Sequence, residues 1–390
     1  YDTYMTTLFE RLLVWLKAIG ASVVLLSATL PARAREAFVQ AYGGRTETVG
    51  PASTYPAITW SKGGETGVIP LESPERRTVA LEWVERDPAV VVRLVNERIA
   101  AGGCAAVVCN TVARAQEVYK AFRESEAVDA KNLILFHARY PLGWRDAIEE
   151  AVVDRFGKAG PRPLKAIVVA TQVVEQSLDL DFDYVVTDMA PIDLLIQRAG
   201  RLHRHTRGGA QRPAALRTPR LAITVPAEED GLPAWESDGY VYAPYVLLRS
   251  LLALKGLESL DLPRDTAHLI SAVYDPWPEL PENVPAAWRE ALAQERVRLE
   301  AEERAETLTA KTRLVPAPDS RNYFRARNEM LHEEDPAAHE SLRALTRSSS
   351  PSVTVVCLHQ TARGVVVDPS AADATSIDLS RPPDDRSVRA

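Results

Sequence analysis

Two runs of β-branched residues, Ile167–Ala170 and Tyr184–Thr187, leave this chain few choices of fold. Neither alternates apolar with polar residues, so each must be buried on both faces, as strands of a parallel sheet are. Such strands need helices above and below them. Pro88–Ala101, Val112–Glu124 and Trp144–Phe156 carry helical periodicity and alternate with further short apolar runs at Thr78–Val84, Ala105–Cys109 and Leu133–Phe136. This alternation predicts an α/β fold with a doubly wound parallel sheet, closed by Leu221–Val225 as its last strand. Periodicity does not give the strand order. Sheets of this kind bind ligands outside the carboxyl ends of their strands, where Ser27, Asn110, Arg139, Thr171 and Gln197 all fall.

The polar residues around the two central runs are placed too regularly to be loop filler. Gln197, Arg201 and Arg204 stand four and then three residues apart, which predicts one shared helix face. Two guanidiniums on one face repel unless an anion or an acidic partner joins them. A nucleoside triphosphate fits, because arginine forks match phosphate oxygens and stabilise the charge of phosphoryl transfer. The plain alternative is a solvated, arginine-rich helix end.

The pattern Gln-x-x-Gly-Arg-x-x-Arg at Gln197, Gly200, Arg201 and Arg204 resembles motif VI of superfamily 2 helicases. The run Val169-Ala170-Thr171-Gln172-Val173-Val174-Glu175-Gln176-Ser177-Leu178-Asp179-Leu180-Asp181-Phe182-Asp183 resembles motif V. Ser177 and the Asp179/Asp181/Asp183 alternation make this wording similar to the Cas3 family of CRISPR-associated helicase-nucleases. Ser27-Ala28-Thr29 after the apolar run Val23–Leu26 resembles motif III, and Asn110-Thr111 resembles motif IV. His137-Ala138-Arg139-Tyr140 resembles a segment helicases place near the strand backbone.

The resemblance implies a RecA-like second helicase lobe, with the tail of a first lobe before it and a smaller, mainly helical or mixed C-terminal domain after it. It implies ATP-driven movement along single-stranded DNA, with Arg201, Arg204 and Gln197 as catalytic residues. Asp179, Gly200, Ser27 and Thr29 would lie at the nucleotide or the lobe interface. Thr171, Gln172, Asn110, Thr111 and Arg139 would face DNA. ATP and Mg²⁺ would be held mainly by a first lobe outside this chain. No Gly-x-x-x-x-Gly-Lys-[Ser/Thr] occurs, since Gly157-Lys158 runs into Ala159. No Asp-Glu-x-His run precedes Ser27, and no paired His-Asp cluster for a nuclease's divalent metal is present. The sequence is therefore read as a C-terminal piece, inactive alone, that pairs with the rest of its polypeptide or a separate N-terminal chain. The implied partners are single-stranded DNA and an RNA-guided surveillance complex, Cascade. Two other readings stay open: a superfamily 2 DNA-repair or RNA helicase, and a non-catalytic half that docks an effector complex.

Along the chain, residues 1–50 read as the first lobe's tail and 51–77 as a connector. Residues 78–226 read as the second lobe, 227–312 as a helical accessory region and 313–390 as a small terminal domain. Val23–Leu26 is expected as a buried strand. Arg207–Arg220 is basic and rich in glycine and proline, either a mobile loop on the nucleic-acid side or a solvated excursion. Tyr245–Leu257 and Arg264–Val273 read as helices, Ala286–Thr309 as a long charged helix with one packed edge, and Val353–Leu358 with Gly364–Val367 as a hairpin. With 46% hydrophobic and 25% charged residues in 390, the composition is that of an ordinary soluble globular protein. The net charge of −7 does not exclude a local basic groove. Cys104, Cys109 and Cys357 form no framework and read as buried thiols of a cytoplasmic protein. No apolar run approaches a membrane span.

Overall fold

A computed structural model describes residues 3–45, 55–72, 76–175, 178–207, 212–275, 280, 283–318, 358–361 and 364–366. Helices α1 (Thr3–Ala18) and α2 (Ala32–Ala41) come first, followed by the hairpin of β1 (Ala57–Lys62) and β2 (Glu65–Pro70). The central layer then begins with β3 (Arg77–Glu85), α3 (Pro88–Arg98), β4 (Gly103–Val108), α4 (Val112–Ser125), β5 (Leu133–Phe136), α5 (Leu142–Phe156), β6 (Lys165–Ala170), β7 (Tyr184–Asp188), α6 (Ile192–Ala199) and β8 (Arg220–Val225). A short ribbon, β9 (Glu228–Glu229) with β10 (Leu232–Pro233), precedes α7 (Pro244–Leu254), β11 (Ser259–Leu262), α8 (Thr266–Tyr274) and α9 (Ala286–Arg313). Finally β12 (His359–Thr361) pairs with β13 (Gly364–Val366).

Local chemistry sets several of these boundaries. Asp87 caps α3 by accepting from the backbone N–H groups of Ala89 at 2.7 Å and Val90 at 3.1 Å, with Pro88 in the first turn. Thr111 caps α4, its hydroxyl accepting from Arg114 N at 3.2 Å. Gly102 and Gly103, at φ +107° and +126°, turn the chain from α3 into β4. A Cβ on Gly103 would meet Leu216 Cδ1 at 2.4 Å, so this turn needs glycine for conformation and for space.

Among the described residues the sheet has seven strands, in the order β11-β3-β8-β7-β4-β6-β5. All pairings are parallel except β11 with β3, which is antiparallel with Leu260 opposite Val79. Successive side chains alternate between two cores. Cys104, Ala106 and Val108 join α5, α6, α7 and α8 on one face; Ala105, Val107 and Cys109 join α3 and α4 on the other. Every residue of β4 and β7 is buried, which is why these runs show no polar alternation. Burying side chains such as Val168 and Val185 contributes about 1.5–3 kcal/mol each.

Three expectations need correction. Val23–Leu26 forms no strand, and Val24 and Leu26 are 81% and 93% exposed. A strand is made by its neighbours, and none of the described residues pairs with this segment. Second, β8 is the last parallel strand but not the lobe's last strand, because β11 follows it in the chain and joins the same sheet; β8 itself lies between β3 and β7. The edge beside β3 is filled by β11, a strand from a stretch read as helical apart from its connections.

Third, Arg207 and Arg212 do not face a nucleic-acid groove. Both turn inward onto Asp181 and Asp183, whose side chains are fully buried. Arg162 completes the cluster at 2.8 Å from Asp183 and 3.3 Å from Asp181. Burial pushes the Asp181 carboxyl up, but the hydrogen bonds and charges of Arg207, Arg212 and Arg162 outweigh it, and its pKa lies below the ordinary 3.8. His203 beside this cluster is driven down to about 4, first by burial and then by the Arg212 charge. A histidine held neutral while the unfolded chain protonates loses stability as pH falls from its ordinary 6.5 toward 4. Asp181 adds a loss only below about 3.8, as its carboxylate begins to protonate. Melting temperatures between pH 7 and 4.5 should therefore fall less steeply for His203→Gln than for the parent. Parallel curves would remove His203 from the account.

Helix α9 behaves as its charge pattern suggests. Trp288 and Leu292 pack into the sheet's core, and Ala310 is buried further along. The middle turns carry exposed pairs such as Arg298–Glu302 at 3.1 Å and Arg304–Glu300 at 3.3 Å. Trp15 of α1 donates its indole N–H to Pro316 O at 2.9 Å, just beyond the helix end. Residues 347–390 form a separate unit, of which the hairpin β12–β13 is described. The expected strand residues 353–357 lie outside the described residues, as do Ser177 and Cys357. Cys104 and Cys109 are buried and free, and burial raises both thiols, Cys104 to about 12. Among the described residues, no helix is long and apolar enough to cross a membrane.

Candidate functional site

The carboxyl ends of β4, β5 and β6 lie side by side in the sheet, and each leads directly into a predicted site segment. Asn110 and Thr111 follow β4. His137 and Arg139 follow β5. Thr171 and Gln172 follow β6. Asn110 is buried: its backbone N–H donates to Asp188 Oδ2 at 3.0 Å and its amide to Met189 O at 2.7 Å. It thereby ties the end of β4 to the end of β7. Gln172 donates to Asn110 O at 3.0 Å and to the Tyr242 hydroxyl at 2.9 Å. Thr171 is buried, its N–H donating to Phe136 O at 3.1 Å. Arg139 is exposed, beyond His137, whose ring stacks on Tyr140 with centroids 4.2 Å apart.

The arginines are arranged otherwise than the spacing predicted. Helix α6 stops at Ala199, so Gln197 is helical while Arg201 and Arg204 lie in the turn beyond it. Gly200 is in right-handed helical conformation, and its use is closeness: an added Cβ would meet Gln197 O at 3.2 Å. Arg201 folds back on the turn after β6, donating to Leu178 O and, at 2.8 Å, to Glu175 O. Burial and the nearby Arg204 charge both lower its pKa, the repulsion that two close guanidiniums must show. Arg204 reaches outward to Asp179, Nε to Oδ1 at 2.6 Å, with the two side chains 44% and 54% exposed. His205 Nε2 stands 3.5 Å from the other Asp179 oxygen. The structure thus brings Asp179, Arg201 and Arg204 together around the turn after β6. Ser27 and Thr29 sit between α1 and α2, where the exposed Ser27 hydroxyl donates to Thr29 O at 2.6 Å and Thr29 is buried.

Sequence reasoning passed over Arg198, which is the largest fully buried side chain of the lobe. Its Nε meets Glu175 Oε1 at 2.6 Å, and its Nη1 meets Thr187 Oγ1 at 2.5 Å and Asp188 O at 3.2 Å. Burial lifts the Glu175 carboxyl above its usual range despite that partner. The signal available was position: Arg198 sits between Gln197 and Ala199, on the buried side of a short apolar helix. Among the described residues, no group of His, Cys, Asp or Glu could hold a metal ion.

The sheet order, the strand-end segments and the motif turns together define a helicase lobe of the RecA-like class. Residues 101–207 match the family model described as CRISPR-associated nuclease/helicase Cas3, C-terminal. The CRISPR-associated endonuclease/helicase Cas3 of Thermus thermophilus is 36% identical over 419 residues, covering 94% of this chain and 44% of that protein. T. fusca Cas3 with ADP superposes with a TM-score of 0.77 at 30% identity, covering 99% of this chain and 44% of that one. A chain of a CRISPR RNA-guided surveillance complex in a pre-nicking state superposes with a TM-score of 0.68 at 30% identity, over 82% of this chain and 40% of that one. The chain belongs to the Cas3 family, and it spans less than half the length of these relatives.

Proposed function

We propose that this chain is the C-terminal part of an ATP-dependent, single-stranded-DNA translocase of CRISPR interference, acting in the cytoplasm. It supplies the arginine side of the ATP site and one wall of the DNA groove. The observation that supports this most is the outward ion pair of Arg204 with Asp179. An exposed pair of this kind is held by about 0–1 kcal/mol, so Arg204 can leave its carboxylate for a stronger phosphate contact. Arg201, set behind it on two carbonyls, orients the same turn and adds a second positive charge. Gln197, Gly200, Ser27 and Thr29 complete the nucleotide side. ATP and Mg²⁺ are bound mainly by a first lobe, and the chemistry supplied there is phosphoryl transfer to water.

DNA runs across the carboxyl ends of β4, β5 and β6. Arg139, Thr111 and Gln172 meet its backbone; Asn110 and Thr171, being buried, shape the floor beneath. The similarity to a chain of an RNA-guided surveillance complex supports Cascade as the partner that delivers this strand. Nuclease activity belongs to a metal-bearing part outside this chain. The test is ATP turnover of the full-length protein with and without single-stranded DNA, for the parent, Arg201→Ala and Arg204→Ala. Loss of turnover in both variants supports the reading, and parental turnover in either overturns it.

A further inference from the structure

A continuous set of polar contacts joins the proposed DNA floor to the proposed nucleotide arginines, and its middle member comes from outside the helicase motifs. Asn110 O accepts from Gln172, and the Gln172 amide also donates to the Tyr242 hydroxyl at 2.9 Å. The same hydroxyl interacts with the Arg198 guanidinium. Arg198 then holds the Glu175 carboxylate at 2.6 Å, while Glu175 O accepts from Arg201 at 2.8 Å. One residue, Glu175, thus receives Arg198 on its side chain and Arg201 on its backbone.

Tyr242 is well placed for a linking role because its own position is fixed. Its backbone N–H donates to Asp238 O at 2.9 Å, and the Asp238 carboxylate is buried against Arg86 at 2.8 Å. The phenol is half-buried and stands between Gln172 and Arg198. A half-buried hydroxyl that accepts from Gln172 and lies in the field of the Arg198 guanidinium transmits displacement of one to the other, since its loss leaves the Gln172 amide a donor without this acceptor and removes a dipole facing Arg198.

We infer that Tyr242 is a positioning residue that couples occupancy of the strand-end face, through Gln172, to the setting of Arg198, Glu175 and Arg201. This rests on the reading of Arg201 and Arg204 as nucleotide ligands. Tyr242 touches neither substrate; it transmits between residues that do. Removing its hydroxyl keeps the ring and its packing but cuts the set in the middle.

The test uses the full-length protein carrying Tyr242→Phe, assayed for ATP turnover over a titration of single-stranded oligonucleotide. Basal turnover and the half-saturating DNA concentration should stay within about twofold of the parent, while maximal stimulation by DNA falls about fivefold, the lower range of measured couplings. A purely structural role would move the melting temperature and all three quantities together. A cycle combining Tyr242→Phe with Gln172→Ala separates the cases, because coupled positions give non-additive losses of stimulation. Parental stimulation in Tyr242→Phe, or additive losses in the cycle, overturns the inference. Should Arg201→Ala and Arg204→Ala also turn over normally, the nucleotide reading itself falls, a result distinct from failure at Tyr242.

Discussion

In the full-length protein, Arg204→Ala should lower ATP turnover by about a thousandfold or more while leaving the melting temperature nearly unchanged. The two halves of this expectation come from different magnitudes. Among the described residues Arg204 pairs with Asp179 alone, and both side chains are about half exposed. Exposed pairs contribute about 0–1 kcal/mol, so the fold loses little. An arginine placed against the charge of a phosphoryl-transfer transition state is worth roughly 10³–10⁵ in rate. Arg204→Lys should recover only part of the loss, because a point charge cannot reproduce the planar fork. Arg201→Ala should differ in kind. It also strips the donor from the Leu178 and Glu175 carbonyls, so turnover falls and the turn after β6 loosens. Turnover within twofold of the parent in Arg204→Ala, at saturating DNA, would remove the nucleotide role.

The largest effect on stability should come from Asp181→Ala, at about 3–5 kcal/mol, the usual consequence of stripping one partner from a buried ionic group. Asp181 is fully buried and serves Arg162, Arg207 and Arg212 together. Removing it leaves three guanidiniums around Asp183 alone, in surroundings with little solvent to absorb the excess charge. The check is the urea midpoint by circular dichroism, with Asp179→Ala as the comparison. The same chemical change at exposed Asp179 should cost about 0–1 kcal/mol. Similar midpoints for the two variants would mean that water reaches the Asp181 cluster and that burial is not what holds it.

Most of the sheet was legible because parallel strands buried on both faces have few other ways to be written. Ala105–Cys109 and Ile167–Ala170 could be placed within two residues for that reason. The places of Asn110, Arg139 and Thr171 just after β4, β5 and β6 were legible because polar residues follow apolar runs where strands end. What spacing could not provide was the direction of each side chain. Arg201, Arg204, Arg207 and Arg212 look alike in sequence, yet two of them bury against carboxylates, one against carbonyls, and one reaches solvent. The difference is set by Asp181 and Asp183, whose every-other-residue spacing with Asp179 does not say which arginine each will hold. β11 was missed because a four-residue edge strand has too few residues to show a period. Val23–Leu26 shows the opposite fault. Its residues are written for a strand, but hydrogen-bonded neighbours decide whether one forms.

The placing of β3 bears on how such a chain leaves the ribosome. Its lateral partners are β8 and β11, which emerge well over a hundred residues later. Until then the first strand of the sheet has a bare edge on either side, and closing loops of that length is slow. During synthesis this edge is open to wrong pairings, the hazard of any unsatisfied strand. A chaperone that holds nascent β3 should therefore raise the yield of folded protein more than one acting after release. A truncation at Pro226 should aggregate even though it retains the turns after β4, β5 and β6 and the segment from Gln197 to Arg204.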